Sequence, residues 1–241
     1  MVSAIVSFFD DLKSVPNWIK FIFHFLSAIL ILWQCDLLSP ILLAASLTLI
    51  LVAFINAYNF MDGINGMNGL YSLAVLIPLW ISENVSSLQI LETFILLALL
   101  VFNYFNSRKV ARCFSGDVGS ITLAIAIAFL LTERIIITGQ FVYVGLLLIY
   151  GIDASFTILE RLADGENIFK PHRKHLYQLF SNELNKSHLQ VSTSYALLQL
   201  SLGLCIVFHL INLTGLIAIG ALLSISYIYV KHQISRSLNM R

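Results

Sequence analysis

Apolar residues run through this chain in long blocks separated by short polar clusters, with no sustained two-residue alternation of the kind a half-buried strand shows. A membrane helix needs about 20 mostly apolar residues, because each residue rises about 1.5 Å through a hydrocarbon core of about 30 Å. Eight spans are predicted on that basis, near 18–34, 40–58, 68–82, 88–105, 118–132, 141–160, 191–210 and 213–230, the third and fifth being short. The opening MVSAIVSFF is apolar but too short to cross alone, and it reads as the tail of a helix whose beginning is absent.

Composition turns this pattern into a fold class. Of 241 residues, 59% are hydrophobic and 11% charged, and the mean hydropathy is +0.88. No water-soluble fold hides that much apolar side chain, so the expected class is an all-α polytopic membrane protein. The longest polar stretch, residues 161–190, is too short to build a second core, and no internal repeat stands out, so 1–241 is read as one membrane domain. The net charge of +1, with no basic run, sets nucleic acid aside as a partner. Cys35, Cys113 and Cys205 stand singly in apolar sequence and read as packing residues. The N-terminal stretch has neither a basic start nor a small-residue cleavage site, so it is not read as a signal peptide.

Charge also sets the orientation. Thirteen of the 14 Lys and Arg residues, from Lys13 to Arg241 and including Lys170, fall on one side of the alternating spans, and only Arg134 falls on the other. Positively charged loops stay in the cytoplasm, which places 10–17, 59–67, 106–117, 161–190 and both termini inside.

Four polar segments break the apolar pattern, and all four lie on that cytoplasmic side. In FFDDLKS, Asp10 and Asp11 are adjacent at the end of an apolar run, where a cation would relieve their repulsion; the alternative is an ordinary acidic turn. In NAYNFMDGINGMNG, Asn56, Asn59, Asp62 and Asn65 recur every third residue, on one face while the helix lasts, before glycines interrupt it. Hard oxygen ligands of this kind suit magnesium held together with phosphate, against the plainer reading of an Asn/Asp/Gly turn. In FSGDVGS, Asp117 stands between two glycines just before a span, as a metal ligand or as a helix N-cap. In LERLADGENIFKPHRKHLYQ, His172 and His175 flank Arg173 and Lys174 after Pro171. A transition metal would want a third ligand there, and the cations argue for phosphate or for simple topological charge. Asp153, inside the sixth span, is an ionisable residue at membrane depth, which is expensive and usually faces a polar cavity.

An Asp-Asp pair, an Asn-x-x-Asn-x-x-Asp-Gly segment, a Gly-Asp-x-Gly-Ser segment and a histidine motif before the last two spans, in that order, resemble the polyprenyl-phosphate N-acetylhexosamine-1-phosphate transferases, glycosyltransferase family 4. These include the phospho-MurNAc-pentapeptide and undecaprenyl-phosphate GlcNAc-1-phosphate transferases, and the likeness covers essentially the whole chain. FKPHRKHLYQ is most similar to members that begin lipopolysaccharide or related surface glycans.

The resemblance implies transfer of a sugar 1-phosphate from a UDP-amino sugar to undecaprenyl phosphate in the bacterial inner membrane, with magnesium (manganese as the alternative) on the diphosphate and UMP released. It implies Asp117 as the direct metal ligand and Asn59 and Asp62 as catalytic or nucleotide-side residues, with Asn56 and Asn65 beside them. Asp10 resembles the base or activator of the lipid phosphate, supported by Asp11. His172, Arg173, Lys174 and His175 resemble the loop that grips the uridine diphosphate or the sugar. Ser14 and Asn65 stand where relatives often carry further acids or an amide, and the family's first two or so helices are expected to be absent here. MurNAc-pentapeptide, GlcNAc and deoxy-amino sugars share this chemistry, though no peptide-binding insertion is evident. A transporter, a non-catalytic scaffold that binds polyprenyl phosphate, and a homodimer are the other readings weighed.

Overall fold

Each of the eight apolar blocks forms a helix in a computed structural model of the chain, which describes residues 2–13, 15–82, 86–167 and 172–239. Ser14, Lys170, Pro171 and Arg241, singled out above, lie outside the described residues. The helices are α2 (Asn17–Gln34), α3 (Ile41–Phe60), α4 (Met67–Ile81), α5 (Ser86–Asn106), α6 (Gly116–Thr138), a 3₁₀ turn Phe141–Leu147 running into α7 (Leu148–Ala163), α9 (His188–Val207) and α10 (Leu213–Asn239). The apolar start forms α1 (Val2–Leu12), and α8 (Leu176–Gln178) is a single turn that continues as a π-helical Leu179–Glu183. No strand occurs among the described residues, and six of the helical stretches are long and apolar enough to cross a membrane, α2 and α4 being shorter. The chain is therefore an all-α, multi-pass membrane protein.

Helix α4 is short because it starts late. The chain breaks at Gly66, whose φ of +79° suits glycine, and whose N–H donates to Asn106 Oδ1 at 2.7 Å. Hemmed in by its neighbours, α4 buries Met67, Tyr71, Val75, Leu76 and Leu79, and it packs most extensively on α9. Lipid offers apolar side chains no gain over packing against another helix, so interhelical hydrogen bonds carry part of the association, at about 0.6 kcal/mol each. Tyr71 donates to Gln199 Oε1 at 2.8 Å, and Gln199 Nε2 donates to the Gly145 carbonyl at 3.0 Å. Tyr58 and Ser72 pair at 2.6 Å, and the Tyr71 and Tyr150 rings stack with centroids 3.4 Å apart. Ile90, Phe94 and Leu97 on α5, and Leu222 and Ile225 on α10, are left exposed, as lipid-facing positions should be.

The fifth span, expected to be short at 118–132, is a 23-residue helix. Glu133 and Arg134 look like the start of a polar loop, but the helix runs through both. Arg134 is 1% exposed, and its Nη2 lies 3.0 Å from Glu92 Oε1 of α5 and 3.0 Å from the Leu79 carbonyl at the end of α4. A paired charge can stay in the bundle where a lone one would end the span.

Candidate active site

Three stretches far apart in sequence, residues 10–20, 59–62 and 115–120, meet where α1 and α3 end and α2 and α6 begin. The convergence starts from the unsatisfied amides that open any helix. Ser115 precedes α6, yet its side chain does not cap the helix; its hydroxyl donates to the Asp62 carboxylate instead. The capping is done from α1, where Asp11 accepts the Asp117 N–H at 3.0 Å and the Val118 N–H at 3.4 Å. A carboxylate there also complements the positive end of the helix dipole. Gly116 makes this possible, since its φ is +57° and a Cβ on it would fall 2.5 Å from Asp11 Oδ2.

Because Asp11 does the capping, the Asp117 side chain is free for other partners. It accepts Asn59 Nδ2 at 3.3 Å and Lys20 Nζ at 3.3 Å. Lys20 also pairs with Asp10, so one ammonium bridges two carboxylates from different helices. Asp10 accepts the Val15 N–H at 2.7 Å as well. Asn59 is fixed from its other side by Ser120, whose hydroxyl donates to its Oδ1 at 2.5 Å. Asp62 follows α3 and is half-buried. Burial pushes its carboxyl up to about 6; the Ser115 hydrogen bond opposes this, while the charges of Asp117 and Asp11 add to it.

The structure thus brings together Asp10, Asp11, Asn59, Asp62 and Asp117. Asn56 sits one turn deeper, pairing with His24 Nδ1 at 3.1 Å, and Asn65 turns to the Arg108 carbonyl at 3.0 Å. The histidine segment adjoins this end of α3 rather than joining the carboxylates: Tyr177 donates to the Phe60 carbonyl at 3.0 Å, and the His172 and Phe60 rings meet at 6.2 Å. Burial, with the nearby His175 and Arg161, lowers His172 to about 4, so it is neutral at pH 7. Lys174 is held by Asp164 at 2.7 Å and Glu166 at 2.6 Å, which raise its pKa, while Arg173 is exposed. His175 is buried and turned to Asp153.

Sequence reasoning missed Lys20, Ser115 and Ser120. In sequence Lys20 reads only as topological charge, and the two serines stand inside a motif read for its aspartate. Ser115 and Ser120 lie within three residues of Asp117, which is the signal they offer, whereas the residues they hold, Asp62 and Asn59, are more than 50 positions away.

The donor set suits a hard cation. Among the described residues no three His, Cys, Asp or Glu side chains form a ready-made metal cage. What converges is carboxylate and amide oxygen, the chemistry of magnesium held by one or two carboxylates with substrate phosphates completing its shell.

Residues 1–135 match the profile of glycosyl transferase family 4. No curated protein matches the chain.

Proposed function

The chain belongs to glycosyl transferase family 4, and so to the polyprenyl-phosphate sugar-1-phosphate transferases; from that premise we propose that it transfers a HexNAc-1-phosphate, or a related amino-sugar 1-phosphate, from a UDP-sugar to undecaprenyl phosphate. UMP is released, and the reaction is the first membrane step of a surface glycan at the cytoplasmic face of a bacterial inner membrane. An oxygen of the lipid phosphate attacks the β-phosphorus of the UDP-sugar. The bond from that phosphorus to the bridging oxygen breaks, and UMP leaves with the oxygen.

One observation carries this reading: Lys20 pairs with carboxylates from two separate motifs, Asp10 and Asp117, and Asn59 of a third motif binds Asp117, all at one end of the bundle. Magnesium, or manganese, supplies charge neutralisation for the diphosphate. Asp117 is its ligand in this reading, with Asn59 orienting the Asp117 carboxylate and Asp62 beside it. Asp10 and Lys20 face the lipid phosphate. That phosphate is already largely ionised near neutral pH, so holding it in line contributes more than removing a proton. The exposed Arg173, with His172, Lys174 and His175, serves the nucleotide sugar, and Asn56 and Asn65 support the α3 end.

The test uses membranes containing the full chain, undecaprenyl phosphate and a panel of UDP-HexNAc donors labelled in the uridine. UMP release should require the lipid, vanish with EDTA and return with excess magnesium or manganese. Release that ignores the lipid or the chelator would overturn the proposal. Within the same assay Gly116→Ala should lower turnover about 10- to 100-fold while the protein still inserts, because the new methyl displaces Asp11 from the α6 amides. Wild-type turnover in that variant would remove Asp11 from the account.

A further inference from the structure

Asp153 is a buried charge that the reaction above leaves without a task. It lies in α7, 1% exposed, and its carboxylate is surrounded by donors. His175 Nδ1 lies 3.3 Å from Oδ1, the Leu176 N–H donates to Oδ1 at 3.0 Å and the Tyr177 N–H to Oδ2 at 3.4 Å. Tyr195 of α9 donates to Oδ2 at 2.7 Å, and Tyr227 of α10 to Oδ1 at 3.1 Å. One side chain therefore ties the turn at 175–177 to three helices. Keeping a carboxylate at such depth is expensive, and packing alone does not require one.

Two details give the arrangement direction. A carboxylate only accepts hydrogen bonds, so the proton of a neutral His175 ring sits on Nδ1 and Nε2 keeps its lone pair. Nε2 is buried and makes no hydrogen bond among the described residues, so Asp153 leaves it as the ring atom without a partner there. Tyr177, whose amide Asp153 also holds, donates its hydroxyl to the Phe60 carbonyl at 3.0 Å, one residue past Asn59 and two before Asp62. The turn that Asp153 anchors is thus the one that touches the α3 end of the carboxylate cluster.

We infer that Asp153 is a positioning residue for the nucleotide-sugar side of the site: it fixes the tautomer and orientation of His175 and seats the 175–177 turn against the end of α3. The inference rests on the transferase reading. Asp153→Asn keeps the shape but turns an amide donor toward a set of donors, so the turn should loosen.

The experiment uses the full chain in detergent and in membranes, with two readouts. Amide hydrogen exchange over 175–178 should speed up in Asp153→Asn, whether or not the protein turns over. In the UMP-release assay, kcat/KM for the UDP-sugar should fall on the order of 100-fold, with KM for undecaprenyl phosphate within about twofold of wild type. Because Asp153 acts through His175, adding Asp153→Asn to His175→Ala should cost less than about twofold more than His175→Ala alone. Tyr195→Phe removes one donor from α9 and leaves the carboxylate on His175, so it should cost far less than Asp153→Asn. Asp153→Glu keeps the acceptor oxygens and covers the case where the asparagine variant does not insert; it should still cost about tenfold in UDP-sugar kcat/KM. Additive losses, an equal loss in Tyr195→Phe, unchanged exchange or a fully active Asp153→Glu would each overturn the inference. A wild-type chain with no lipid-dependent release would overturn the transferase reading instead, and the exchange readout would still judge the anchor.

Discussion

Asp117→Asn is expected to reduce metal-dependent turnover by at least about 1000-fold in a chain that inserts and unfolds as the wild type does. Two features of the site separate the chemical loss from a structural one. The amides that open α6 are capped by Asp11, so Asp117 is not needed to hold its own helix. The Lys20–Asp117 pair is partly exposed, at 25% and 23%, and such a pair contributes at most about 1 kcal/mol. Asparagine keeps an oxygen for Asn59 Nδ2 and nearly the same volume. What it removes is the anionic oxygen that a hard divalent cation requires. The check is turnover against magnesium concentration, with thermal unfolding alongside. Activity near wild type at ordinary magnesium would take Asp117 out of the metal site.

The second large effect is on the fold, at the opposite end of the bundle. Arg134→Leu should destabilise the protein by about 3–5 kcal/mol, because it leaves Glu92 as an uncompensated buried carboxylate. It also strips the Leu79 carbonyl, at the end of α4, of its guanidinium donor at 3.0 Å. Replacing both partners, Glu92→Leu with Arg134→Leu, should recover most of the loss, since well-packed apolar side chains tolerate that setting better than a lone charge does. Thermal unfolding in detergent compares the three variants with the wild type. A single variant that unfolds with the wild type would mean the pair carries no structural load.

Arg134 also marks how far the sequence could be read. It is the one basic residue outside the loops the charge bias assigns to the cytoplasm, and beside Glu133 it makes the fifth span look as if it stops at 132. Hydropathy sees the charge at Arg134 but not Glu92, which lies 42 positions earlier and cancels it. The eight apolar blocks were legible because lipid imposes helix on any long apolar run. The carboxylates and asparagines were legible because polar groups at helix ends near a membrane stand out against apolar neighbours. Their partners were not legible. Lys20 looked like one more cytoplasmic charge, although it bridges Asp10 and Asp117. On its own motif Asp117 reads first as a cap and only second as a ligand, whereas Asp11 occupies the capping position from another helix. In sequence His172 to His175 read as one gripping unit, whereas the structure turns His175 inward to Asp153 and Lys174 outward to Asp164 and Glu166. Such divisions depend on contacts outside the segment itself, from Asp164 and Glu166 for Lys174 and from Asp153 for His175, and the spacing within the segment does not encode them.

The transporter reading loses its footing on the same contacts. Tyr71, Tyr150 and Gln199, three polar residues inside the bundle, are bonded to one another and to backbone, so their hydrogen bonds serve packing rather than a substrate path.

The central claim is that the β-phosphate travels with the sugar to the lipid. UDP-GlcNAc, or whichever UDP-HexNAc supports release, labelled with ³²P at the β-position, is incubated with membranes containing the chain, undecaprenyl phosphate and magnesium, and the lipid and aqueous phases are then separated. The account predicts the label in a lipid diphosphate sugar, with unlabelled UMP in the water. Label recovered as aqueous UDP, with the sugar alone on the lipid, would mean that the sugar–oxygen bond breaks instead, and would contradict it.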